Sequence, residues 1–320
     1  MRRRPIVRIV LAGAVAAGAA LTAVAASPGV STAKPAEPLY ISMGDSYSVG
    51  YQNPTLGNTT GFTGYVAKKE HLQLENFGCG GATTTSLFSQ LGCPAADSAS
   101  TDGVAYPGVD QVDAVVSYLG QAANYGNVAL VTVSIGGNDV TSCTGATNTI
   151  ACVEAAETTI GTNVTNLVAT LRTALDDNGD TTAHIVGITY PDVILGDYIA
   201  PVGATNPVLA AQSVTAFDAL INPTLSTAYT SQTGGAFVNV TSAPNGKAKH
   251  GDDTGSFNFT TGAFTGKTTN LTGFGKVPVP VAEVCTITWY CDPTTFGDIH
   301  ANTKGYTFIG KLIVAKLASL

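Results

Sequence analysis

The run Val128-Ala129-Leu130-Val131-Thr132-Val133-Ser134-Ile135 constrains the fold more than any other segment. Near-continuous apolar character over so short a stretch predicts a strand buried on both faces. Such strands belong to parallel sheets covered by helices on each side. Shorter segments repeat the theme: Leu39 to Met43, Leu72 to Phe77, His184 to Tyr190 and Ala236 to Val240 all read as strands. Helical patterns lie between and after them. Val164, Leu167, Val168, Leu171 and Leu175 recur at spacings of three and four, one face of a helix, and Asp176-Asp177-Asn178-Gly179 closes it. A less regular helix is expected from about Ala210 to Tyr229, broken by Pro223, and a last one from Thr303 to Leu317. Strand and helix in repetition imply an α/β domain with a mostly parallel sheet and helices on both faces.

The N-terminus reads as an export signal. Arg2, Arg3, Arg4 and Arg8 precede an Ala-rich apolar run from Ile9 to Ala26, followed by small residues and prolines. Cleavage is expected after Ala25, Ala26 or Ala33, which leaves a leader of up to residue 33 and a single domain over residues 38–320. An uncleaved anchor is the competing reading, on a run only marginally long for a span. No later stretch is apolar enough to cross a bilayer, so no stable membrane insertion is expected after cleavage. Loss of the four arginines takes the formal net charge from −7 to −11. An acidic surface of that size repels phosphate backbones and argues against nucleic acid as a partner.

Six cysteines, an even number in an exported chain, argue for disulfides. They form three sequence-local couples, so Cys79–Cys93, Cys143–Cys152 and Cys285–Cys291 is the simplest pairing. A metal site is the alternative, disfavoured because no Cys-x-x-Cys spacing occurs. Residues 245–276 do not fit the alternation of strand and helix. Rich in Gly, Thr, Asn and Asp, with Phe257, Phe259, Phe264 and Phe274 interspersed, they read as a long excursion with room for small hairpins, either decorative or a wall or lid of a substrate cleft.

Ligand sites of open α/β sheets form at the carboxyl ends of strands. Four short segments stand at such ends or before a helix: Gly44-Asp45-Ser46-Tyr47-Ser48, Asn76-Phe77-Gly78-Cys79-Gly80-Gly81-Ala82-Thr83-Thr84, Gly136-Gly137-Asn138-Asp139 and Asp298-Ile299-His300-Ala301-Asn302. Taken in this order, they resemble the SGNH-hydrolase superfamily, the GDSL esterases and lipases, over nearly the whole chain from Leu39 to Leu317. The cysteine-flanked stretch ending in His300 looks like an exported actinobacterial branch. The resemblance implies a flavodoxin-like three-layer sandwich and a serine esterase or lipase that needs no cofactor and no metal. It assigns Ser46 as nucleophile and His300 as general base. The oxyanion hole would comprise the Ser46 and Gly81 N–H groups and the Asn138 amide. These roles agree with the chemistry: a serine hydroxyl needs a base to accept its proton, and fixed N–H donors stabilise the oxyanion. Thr83 and Thr84 are expected to cap a following helix, and Asp139 to bond locally.

The sequence departs from the family pattern at the third triad member. The position three before the histidine is Gly297, and the nearest acid is Asp298. Either the Asp298 carboxylate or the Gly297 carbonyl orients the imidazole, with Asp292 more remote. Trp289 and Tyr290 are expected as core filler or as a border of the acyl pocket. The expected partner is a small or polymeric ester, met by a monomer. Acyl transfer to another acceptor, or binding by a disarmed fold, would use the same residues. Gly-x-Ser-x-Gly, His-Glu-x-x-His and phosphate- or dinucleotide-binding glycine motifs are missing from the chain.

Overall fold

The structure, a computed structural model, describes residues 37–99, 101–199, 205–241 and 256–320. The expected leader therefore lies outside the described residues, as do residues 245–255 of the expected excursion. Five strands form one sheet: β1 (Leu39–Gly44), β2 (Gln73–Asn76), β3 (Val128–Ser134), β4 (His184–Ile188) and β5 (Gly235–Val238). Their order is β2-β1-β3-β4-β5, and every neighbouring pair is parallel. This is the flavodoxin-like winding. After β1 the chain goes to β2 on one side and returns to β3 on the other, which opens a crevice at the carboxyl ends of β1 and β3. The register pairs Gly44 with Ser134, so the two strands end side by side.

Alternating side chains feed two cores. Leu39, Ile41, Met43, Val131 and Val133 face one layer, made by α2 (Gln111–Leu119), α4 (Thr149–Asp177) and α6 (Asn222–Tyr229). Tyr40, Leu130, Val186 and Ile188 face the other, made by α1 (Gly61–Glu70) and the C-terminal helix α8 (Thr303–Leu317). The helix expected from Val164 to Leu175 is the second half of the 29-residue α4, whose N-terminus is capped by Asn148 accepting from the Ala151 N–H. Helix α8 is capped by Asn302, whose side-chain oxygen accepts from the N–H groups of Lys304 and Gly305. That cap fixes where the chain leaves the His300 loop.

The region from Ala210 to Tyr229 differs from its sequence reading. Helix α5 (Pro207–Thr215) runs through a π-helical turn at Ala216–Ile221 into α6. Pro223 does not break a helix here. It sits in the first turn of α6, where a missing N–H is tolerated.

Of the expected excursion, residues 256–276 carry a Phe257–Phe264 bridge and most of an antiparallel hairpin, β6 (Thr268–Leu271) and β7 (Gly275–Pro278). It leads into α7 (Val279–Ile287). The cysteines pair as Cys79–Cys93, Cys143–Cys152 and Cys285–Cys291, as their sequence proximity suggested. Among the described residues no helix is long and apolar enough to cross a membrane.

Candidate active site

The first site loop leaves β1 at Gly44, held by neighbouring elements on both sides. The Gly44 N–H donates to the Gln111 side-chain oxygen at 2.7 Å, and its carbonyl accepts from the Cys79 N–H at 2.9 Å. At Gly44 φ is +124°, and a Cβ there would lie 2.0 Å from the Ser134 carbonyl oxygen, so only glycine lets β1 and β3 end this close together. Asp45 turns inward, 1% exposed, accepting from the Tyr47 N–H at 3.0 Å and the Tyr190 hydroxyl at 2.5 Å. Burial pushes its carboxyl up to about 7, against the opposing pull of those two hydrogen bonds. Ser46, also buried, has its hydroxyl at the mouth of a cleft.

The His300 loop comes from the far end of the chain and is moored in several places. The Tyr47 hydroxyl donates to the Ile299 carbonyl at 2.7 Å, and the Trp289 N–H donates to the His300 carbonyl at 2.9 Å. The imidazole Nε2 lies 3.0 Å from the Ser46 Oγ, across 254 residues of sequence. Its Nδ1 lies 2.6 Å from Asp298 Oδ1, which also accepts from the His300 backbone N–H at 3.0 Å. Of the orienting groups left open by the sequence, the Asp298 carboxylate is the one at the ring. Asp292 accepts from Thr294 in a separate turn. The Tyr51 ring meets the imidazole edge-on, centroids 4.4 Å apart.

The other two segments are stapled to each other. The Asn138 side-chain NH2 donates to the Ala82 carbonyl at 2.8 Å, which orients the amide and leaves its second N–H free to face the cleft. Asp139 does not bond locally as expected: it reaches Thr84, 55 residues away, accepting from its N–H at 2.9 Å and its hydroxyl at 2.6 Å. Thr84 is thereby drawn away from helix capping, whereas the Thr83 hydroxyl accepts from the Ser86 N–H at the start of a short 3-10 turn, Ser86–Phe88. The Gly81 segment is thus pinned to the carboxyl end of β3 by Asn138 and Asp139, and to β1 through Cys79. Among the described residues, no protein group accepts from the Ser46 or Gly81 N–H.

Ser46 and Asn138 open onto a cleft lined mainly by apolar side chains. One wall is the short helix α3 (Gly137–Thr141) with Ile150 and Val153 of α4. The other is Leu209 of α5 with Ala216, Phe217 and Ile221 of the π turn. Threonines 141, 144 and 149 stand at the outer rim, while Val153, Phe217 and Ile221 are buried. Beyond them Thr224 of α6 donates to Glu157 of α4 and closes the seam between the helices. Among the described residues, no three His, Cys, Asp or Glu side chains gather into a metal-binding set.

The model of the GDSL-like lipase/acylhydrolase family matches residues 40–313. The chain belongs to that family. As a family member it is a carboxylic ester hydrolase. Searching curated protein sequences finds no match. Among solved structures the chain is similar to an extracellular lipase from Streptomyces rimosus, at 19% identity, covering 87% of this chain and 99% of that one with a TM-score of 0.42. It is also similar to phospholipase A1 from Streptomyces albidoflavus, at 16% identity over 88% and 99% of the two chains, TM-score 0.46. A lipase from a goat rumen metagenome shares 13% identity over 87% and 96%, TM-score 0.47.

Several residues of this hydrolase's site carry no signal of their own in the sequence. Nothing pairs Tyr47 with Ile299 or Tyr190 with Asp45, since these contacts span 252 and 145 residues. The apolar cleft drew on residues from α4 and the π turn, which read only as helix core. Tyr290, expected as core or pocket border, packs with Val193 and Cys291 in a satellite core and donates to Asp197 at 2.5 Å. Trp289 is absent from the cleft beside Ser46.

Proposed function

We propose that this GDSL hydrolase cleaves fatty-acyl esters through an acyl-enzyme on Ser46. The observation that carries the reading is the 3.0 Å approach of His300 Nε2 to Ser46 Oγ at the mouth of an apolar cleft. In the first half-reaction Ser46 Oγ attacks the ester carbonyl while its proton passes to His300 Nε2. The ring becomes imidazolium, stabilised by Asp298 at Nδ1. Negative charge on the former carbonyl oxygen is met by the N–H groups of Ser46 and Gly81 and the free Asn138 amide hydrogen. Collapse expels the alcohol, which takes the proton from Nε2. Water, activated by the same imidazole, then releases the acid and restores Ser46.

The acyl chain fits between α4 and the π turn, where Ile150, Val153, Phe217 and Ile221 offer apolar surface. Burying methylenes there gains about 0.8 kcal/mol each, so longer chains bind better until the seam between α4 and α6 stops them. The charged N-terminal leader and three disulfides support export as the site of action. The test is hydrolysis of nitrophenyl esters of graded acyl length by the native chain and by Ser46→Ala. A rise in kcat/KM from acetyl to medium-length acyl groups, abolished in the variant, is expected. Full activity of Ser46→Ala would remove the assignment.

A further inference from the structure

We propose that Tyr190, just beyond the carboxyl end of β4, is a positioning residue that sets the Asn138 donor against Ser46. The inference rests on the assignment of Ser46 and Asn138 above, and extends it to a side chain on a third strand.

Tyr190 stands where three segments meet. Its hydroxyl donates to Asp45 Oδ2 at 2.5 Å, one residue before Ser46. Its ring also supports both loops. The Tyr47 ring meets it edge-on with centroids 4.9 Å apart. Gly137 packs so closely on the ring that an added Cβ would lie 3.0 Å from it. Tyr190 is 7% exposed and lines the cleft, yet its hydroxyl points away from the reacting hydroxyl toward the buried carboxylate.

One side chain therefore holds the nucleophile loop through its hydroxyl and carries the oxyanion loop on its ring. Such a polar strut is directional in a way that ring packing alone is not. The two loops it joins carry donors that must converge on one carbonyl oxygen, and displacements near 1 Å at such sites cost about 100-fold in rate. Tyrosine suits the task because its reach spans the gap between strand ends while the ring excludes water.

Tyr190→Phe keeps the ring contacts and removes only the strut. On a nitrophenyl ester its kcat is expected to fall at least tenfold with KM within twofold. Affinity for an alkyl boronic acid, which forms a tetrahedral adduct on the serine, should fall by the same factor as kcat/KM. The decisive comparison places Tyr190→Phe in an Asn138→Ala background. If Tyr190 works through Asn138, the second change there costs less than twofold. Full multiplication of the two losses overturns the proposal, as does a Tyr190→Phe chain with unaltered kcat. If Tyr190→Phe does not fold, Gly137→Ala applies pressure at the same joint. It must show the same pattern of lowered kcat, retained KM and weakened boronate affinity, and native values for all three overturn the proposal. Hydrolysis by the native chain and its loss in Ser46→Ala are measured alongside. Failure of that pair sinks the serine-esterase assignment, whereas failure of the Tyr190 arms alone sinks only this inference.

Discussion

At the residue scale, Asp298 shows how backbone geometry decides a question that spacing leaves open. An acid two residues before a histidine can point anywhere. Here its Oδ1 accepts from both the backbone N–H and the ring Nδ1 of His300, so the side chain folds back over its own turn. In the proposed reaction the carboxylate holds the tautomer that offers Nε2 as a base. Asp298→Asn is expected to lower kcat by at least about 100-fold with little change in KM, read by steady-state kinetics. A loss below tenfold would return the role to a backbone carbonyl. Asn138→Ala should lower kcat by about 10²–10³, since it removes one preorganised donor from the developing charge. Ser46, Gly81, Asn138 and His300 were named as candidates because each sits in a short motif, and the structure brings His300 Nε2 to Ser46 Oγ. The contacts of Tyr190 and Tyr47 were not legible, because they join segments far apart in the chain.

Elements explain where the site lies and what it accepts. Short apolar segments marked β1, β3 and β4, since burial on both faces leaves a compositional mark, whereas the half-buried edge strands β2 and β5 carry a weaker one. Their order was not legible from those runs, because it depends on which crossovers pass over which face. The helical period found the second half of α4 but could not reveal the π turn at Ala216–Ile221. A single wider turn changes which residues face inward without changing composition. That turn brings Ala216, Phe217 and Ile221 to the cleft. Ala216→Leu would push three more carbons into open space beside the acyl chain. The ratio of kcat/KM for a dodecanoyl ester to that for a butanoyl ester is expected to fall at least fivefold. An unchanged ratio would place the acyl chain elsewhere.

On the scale of the whole molecule, buried carboxyls link stability to pH. Asp45 and Asp192 are 1% and 2% exposed, and burial pushes each up to about 7. Asp192 accepts from the Ser213 hydroxyl at 2.8 Å through one oxygen, while its other oxygen lacks a partner among the described residues. The folded chain therefore holds protons that the unfolded chain, with ordinary aspartates near 4, has released. These two groups favour the folded state below that window, and their contribution falls as pH rises from about 4 to about 7. Asp192→Asn is neutral throughout, so the drop in Tm between pH 5 and pH 8 should be smaller than in the native chain. Thermal unfolding monitored at the two pH values checks this, and an equal drop in both chains would contradict it.

The claim beneath all of this is that segments from opposite ends of the chain surround one carbonyl with a hydroxyl, an imidazole and fixed N–H donors. Mass spectrometry of the chain treated with an alkyl fluorophosphonate tests it most directly. The account predicts a single adduct per chain on the peptide containing Ser46, none in Ser46→Ala, and labelling slowed at least a hundredfold in His300→Ala. Ester hydrolysis that persists while Ser46 stays unlabelled, or an adduct on any other residue, would contradict it.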